Sequence, residues 1–158
     1  MSTGIHTTLK NKRIEKGFSE AECAADTGLS IHAYDDVESY EDEFICALSL
    51  EQARRISAKL ELNLEELLRE YLKSSGRESI ATNEFPVLPR HSLVRQARLS
   101  TGLSVSELAD KIGYADITIH NMENASDYFE DLSIDVLLEI AELLGLDPAR
   151  LIDRDFQT

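Results

Sequence analysis

The stretch SIHAYDDVESYEDEF, Ser30 to Phe44, carries six carboxylates, Asp35, Asp36, Glu38, Glu41, Asp42 and Glu43, and no Lys or Arg. Acidic residues at that density can hold a hard cation, take part in acid–base catalysis, or attract a basic partner. A calcium loop needs alternating Asp positions, a glycine at the sharp turn and a bidentate Glu in register. DDVESYEDE lacks that order. Catalysis needs a nucleophile with a base, or a Gly-rich phosphate loop, in motif context; the chain shows none, so no enzymatic activity is expected. The histidines His6, His32, His91 and His120 have no ligand spacing with Cys or with one another, and no metal or cofactor is expected. His6 and His91 read as tail and linker residues, His32 and His120 as exposed contacts. Cys23 falls at an apolar helix position, and with Cys46 it makes no disulfide framework. That leaves attraction of a basic partner, or a plain solvated rim, as the role of the acidic stretch.

Composition points the same way. In 158 residues the net charge is −14, and Lys and Arg, which neutralise phosphates in non-specific DNA binding, are outnumbered by Asp and Glu 30 to 16. A hydrophobic share of 42% is enough for packed cores. The start MSTGIHTTLKNKR lacks a signal-peptide core and no long apolar run follows, so the expected address is the cytoplasm, with no membrane partner.

The elements that position these residues are written twice. Arg13, Gly17, Ser19, Ala24, Gly28 and Glu38 recur 85 positions later as Arg98, Gly102, Ser104, Ala109, Gly113 and Glu123. After one deletion, Leu48, Ile56, Leu60 and Leu67 return as Leu132, Ile140, Leu144 and Leu151. This predicts two domains, 8–72 and 92–158, joined by a Ser-, Gly- and Pro-containing linker over 73–91. Each domain reads as five short helices. Ser19 with Glu22, and Ser104 with Glu107, form capping boxes at helix 2. Gly28 and Gly113 stand where a turn needs positive φ. Helix 3 buries Tyr34 and Val37, or Ile119 and Met122; helix 4 buries Leu50, Ala53, Ile56 and Leu60, or Ile134, Leu137, Leu138, Ile140, Ala141 and Leu144. Helix 5 opens at Asn63, and at Asp147 followed by Pro148. The fold class is all-α.

The segments RIEKGFSEAECAADTGLSIHAYDDVES and RLSTGLSVSELADKIGYADITIHNMEN resemble the phage-repressor/Cro-like (XRE-type) helix-turn-helix family. The resemblance implies two repeated five-helix, lambda-repressor-like domains in which helix 3 lies in the major groove of DNA, commonly as a dimer. Carried over by position, helix 3 would present Ile31, His32, Asp35 and Asp36 in the first copy and Asp116, Ile117, His120 and Asn121 in the second. The following loops add Glu41, Asp42 and Glu43, and Asp127, Tyr128, Phe129, Glu130 and Asp131. Only Asn121 belongs to the usual base-reading set, and Glu20 and Val105 stand where the family usually has Gln. Carboxylates beside phosphates repel them. Leu9–Leu72 holds 8 basic against 15 acidic residues and Leu93–Thr158 holds 5 against 13. The charge therefore favours a non-catalytic protein whose acidic face, interleaved with Tyr34, Tyr40, Phe44, Tyr128 and Phe129, docks on a basic protein partner. The alternative is a transcriptional regulator that binds DNA through the second unit as a homodimer, using Arg95, Arg98 and Lys111 on phosphates.

Overall fold

All regular structure in the computed structural model, which describes residues 4–77 and 88–152, is helical, with no strand among those residues. The chain divides into two units, Met1–Glu78 and Ser79–Thr158. The first contains α1 (Ile5–Lys16), α2 (Glu20–Thr27), α3 (Ile31–Ser39), α4 (Glu43–Cys46), α5 (Leu50–Lys59) and α6 (Leu64–Ser74). The second contains α7 (Arg90–Thr101), α8 (Val105–Ile112), α9 (Asp116–Asn124), a 3-10 helix (Ser126–Asp131), α10 (Ile134–Leu144) and α11 (Ala149–Ile152).

Local chemistry starts and stops the helices as the residues require. At α2, Ser19 Oγ accepts from the Glu22 N–H at 3.1 Å while the Ser19 N–H donates to the Glu22 carboxylate at 2.7 Å. At α8 the reciprocal bonds between Ser104 and Glu107 are both 3.1 Å. Two otherwise orphaned N–H groups are thereby satisfied at each start. Gly28 and Gly113 adopt φ of +73° and +76°, and the N–H groups of Leu29 and Tyr114 then return to the carbonyls of Ala24 and Ala109 at 2.9 Å. That geometry ends the helix and sets the angle into α3 or α9. Asn63 caps α6 through Glu66 N–H, and Asp147 Oδ1 accepts from Ala149 N–H at the last turn.

Each unit buries its helical stripe internally. Tyr34 and Val37 of α3 lie with Leu50, Ala53, Ile56 and Leu60 in one core; Ile119 and Met122 of α9 lie with Ile134, Leu137, Ile140 and Leu144 in the other. Each large aliphatic contributes roughly 1.5–3 kcal/mol when fully buried.

The structure departs from the sequence reading in three places. A further short helix follows helix 3 in each unit, α4 in the first and the 3-10 helix in the second, because Phe44 and Phe129 turn inward and are fully buried. Winding the acidic loop is what brings one aromatic of it into the core. His6 and His91, expected in tail and linker, lie within α1 and α7. Helix likewise extends beyond the expected boundaries, from Ile5, to Ser74 and from Arg90; the part of the expected linker between 78 and 87 lies outside the described residues.

Candidate nucleic-acid interface

α9 is held in place by a buried guanidinium fork. Arg98 of α7 donates through Nε and Nη2 to the Glu123 carboxylate at 2.7 and 3.0 Å, and through Nη1 to the Leu103 carbonyl at 2.9 Å. The first unit has the same arrangement: Arg13 binds Glu38 at 2.7 and 3.0 Å and the Phe18 carbonyl at 3.0 Å. In each case one side chain ties the first helix, the end of the third and the turn before the second. The hydrogen bond to the carboxylate raises both arginines above their ordinary pKa. Buried bidentate pairs of this kind orient elements more than they add net stability. Recurrence of Arg13 and Glu38 as Arg98 and Glu123 was the sequence signal, but as a repeat it did not disclose a contact.

A second ion pair fastens the loop after α9. Arg90 is wholly buried; its Nη1 donates to Glu130 at 3.0 Å and to the Leu151 carbonyl at 3.1 Å, and its Nε to the Ser126 carbonyl at 3.0 Å. The guanidinium sits 4.9 Å from the Phe129 ring centroid, a cation–π distance. His91 Nδ1 lies 2.8 Å from Ser126 Oγ. The 3-10 helix is thus pinned to the start of α7.

This packing corrects part of the expected binding surface. Phe129 and Glu130 are buried core groups and cannot meet a partner, since one fills the apolar interior and the other is consumed by Arg90. Phe44 and Tyr34 are buried too; burial first, and then the neighbouring Glu38 carboxylate, push the Tyr34 phenol far above its ordinary pKa. Tyr128 and Glu43 are half-buried. Arg98, expected on phosphates, is committed to Glu123.

The outward faces of α3 and α9 do collect the remaining residues. Ile31, His32, Asp35 and Asp36 are exposed on one side of α3, and Glu41 and Asp42 follow them into solvent. Asp116, Ile117, His120 and Asn121 are exposed on one side of α9, with Ile117 62% exposed; Asp127 and Asp131 lie exposed beyond. Asp116 accepts from Ser106 Oγ at 2.6 Å, which couples the first turn of α9 to α8. An open groove of about 490 Å³ runs between α7 and the end of α9, lined by His91, Ser92, Arg95, Gln96, Leu99, Glu123 and Asn124. Sequence reasoning singled out Arg95 only as one basic residue among three; the groove around it has no sequence signature.

Two short helices joined at a glycine turn, the second with Asp116, Ile117, His120 and Asn121 outward and locked by a buried Arg–Glu fork, have the form of a helix-turn-helix. Residues 94–151 match the family model described as helix-turn-helix, which is what this part of the second unit is similar to. No curated protein and no solved structure matches the chain. No helix among the described residues is long and apolar enough to cross a membrane.

Proposed function

We propose that the protein is a transcriptional regulator that binds DNA through its second unit. The observation that carries this is the family match over 94–151, laid on a unit whose α9 face holds His120 and Asn121 beside the Arg95 groove. Asn can bond adenine bidentately in the major groove. Asp116, the one carboxylate on that face, already accepts from Ser106. These findings support the DNA reading better than the basic-protein reading that charge alone favoured. We read the first unit as a diverged copy of the same module, since its capping box, glycine turn and Arg13–Glu38 fork correspond one for one. Its α3 carries Asp35 and Asp36 where α9 has His120 and Asn121. Two half-sites would then be met by two second units in a homodimer, about 34–36 Å apart. The reading requires a compartment that holds DNA, in keeping with the expected cytoplasmic address.

Selection of duplexes from a randomised library by the full chain tests this. Enriched sequences containing an adenine whose preference is relaxed by Asn121→Ala, at about 1–3 kcal/mol, are the expected result. Absence of any enriched duplex removes the reading.

A second reading has its own observation. Asp35, Asp36, Glu41 and Asp42 form no salt bridge among the described residues, and Ile31 and Tyr40 beside them are 57% and 61% exposed. An acidic face with exposed apolar groups suits a basic protein partner, which the first unit would hold. Once such a partner is captured, Asp35→Asn with Asp36→Asn, or Glu41→Gln with Asp42→Asn and Glu43→Gln, should slow association and flatten its salt dependence, because exposed charges steer encounter. Unchanged rates return these acids to plain solvation.

A further inference from the structure

We propose that α2 is a releasable helix of the first unit, detaching in a local opening that leaves α5 and the second unit folded. The inward side of α2 is Cys23, Ala24 and Thr27; that of its counterpart α8 is Leu108, Ala109 and Ile112. So α2 brings no large aliphatic side chain to its core, whereas α8 brings two. Thr27 turns its hydroxyl back on the Cys23 and Ala24 carbonyls at 2.9 and 3.1 Å, bonds made within the helix that do nothing to dock it. The neighbours of α2 repeat the difference. It packs on α3 and α5, where Tyr34 and Ser57 are buried and the second unit has Ile119 and Ala141. The Tyr34 and Ser57 hydroxyls make no well-formed hydrogen bond among the described residues. Glu38 lies near the phenol, but both its carboxylate oxygens are held by Arg13. A hydroxyl buried in this way loses its hydration with little in return.

What holds α2 lies at its rim. Asp26 pairs with Lys59 of α5 at 2.6 Å, and Glu20 lies 3.7 Å from Arg13. The second unit has Lys111, Leu143 and Val105 in place of Asp26, Lys59 and Glu20, so these pairs belong to the first unit alone. The Asp26 side chain is 51% exposed, and ion pairs open to water contribute little. One helix is docked by packing, the other by small side chains and surface charge. Elements with few buried apolar contacts open first. The Gly28 turn joins α2 to α3, so release of α2 frees the acidic face of α3 from its fixed angle, while α8 and α9 keep theirs. The opening does not depend on what the second unit binds.

Cys23 reports the opening, because its thiol is 1% exposed while α2 is packed. The full chain carrying Cys46→Ser, which removes the exposed thiol, is treated with a thiol reagent under native conditions, and its hydrogen exchange is followed by mass spectrometry. Labelling of Cys23 should outpace global unfolding and depend only weakly on urea below the unfolding transition. The amides of α2 should exchange about a hundredfold faster than those of α5 and α8, in keeping with the two missing aliphatics. Ser57→Ala, which deletes a buried hydroxyl on α5, should slow the labelling by about tenfold. Asp26→Asn, which loosens the rim, should speed it by about threefold. Labelling that tracks global unfolding, or α2 amides as protected as those of α8, overturns the proposal; so does an unchanged rate in both variants.

Discussion

Arg90 and Glu130 are joined in the second core, and the residues 85 positions earlier, Ile5 and Ile45, are both buried and lie on α1 and α4, which pack together. An ion pair in one unit thus stands where the other has two aliphatics. Removing two charges from water costs several kcal/mol per ion, and their attraction roughly offsets this only while both remain. Glu130→Ala should therefore destabilise by about 3–5 kcal/mol, since it strands a buried guanidinium. The double change Arg90→Ile/Glu130→Ile should recover most of that loss, though the Ser126 and Leu151 carbonyls then lose a donor. Urea denaturation of the three proteins decides it; a double variant no more stable than Glu130→Ala would show that Arg90 acts chiefly through those carbonyls. Glu130 was expected at a partner surface, and this measurement separates that role from the core role the structure assigns.

At the scale of the element, α8 depends on its capping box. The Ser104 backbone N–H, followed by its hydroxyl, holds the Glu107 carboxyl below the ordinary Glu value. A group whose folded pKa is depressed contributes stability above its unfolded pKa and loses it as pH falls through the folded value. The window lies below about pH 4.3, the unperturbed Glu value. Glu107→Gln keeps the amide oxygen for the Ser104 N–H but removes the titration. The difference in melting temperature between wild type and this variant should shrink as pH is lowered through that window; a constant difference would mean that the charge contributes nothing. Ser104→Ala, which leaves the Glu107 N–H without its acceptor, should cost about 1 kcal/mol at neutral pH, read from the same melts. Because α8 abuts α9 and Ser106 holds Asp116, loosening this start should also weaken any DNA binding.

On the scale of the whole molecule, caps and apolar stripes lie within each unit, and every buried ion pair described joins residues of one unit. A fragment from Arg90 to Thr158 should accordingly fold and melt cooperatively, monitored by circular dichroism, and should retain the affinity of the full chain for an enriched duplex. Domains near this size bury a small fraction of their surface, so some loss of melting temperature is expected. A fragment without a cooperative transition would show that the units complete one another. The net charge of −14 adds a second expectation: self-repulsion is screened by salt, so the melting temperature of the full chain should rise with moderate added salt. A fall would show that the surface ion pairs outweigh the repulsion.

The helices, their starts and the residues they bury were legible in the sequence, because periodicity, capping and positive φ are properties of neighbouring residues. Ser19, Ser104, Gly28, Gly113 and the stripes of α5 and α10 could be read without knowing what lay opposite them. The meaning of the charges could not. A carboxylate in sequence reads as solvated, whereas Glu38, Glu123 and Glu130 are buried against arginines 25 or 40 residues away. Phe129 was read as a surface aromatic from its acidic neighbours and is enclosed by the core. Arg95 and Arg98, three residues apart, looked alike, yet one is locked in a fork and the other faces an open groove. Only tertiary packing decides which charge meets water and which meets its opposite, because desolvation depends on neighbours that the chain brings together from far along its length.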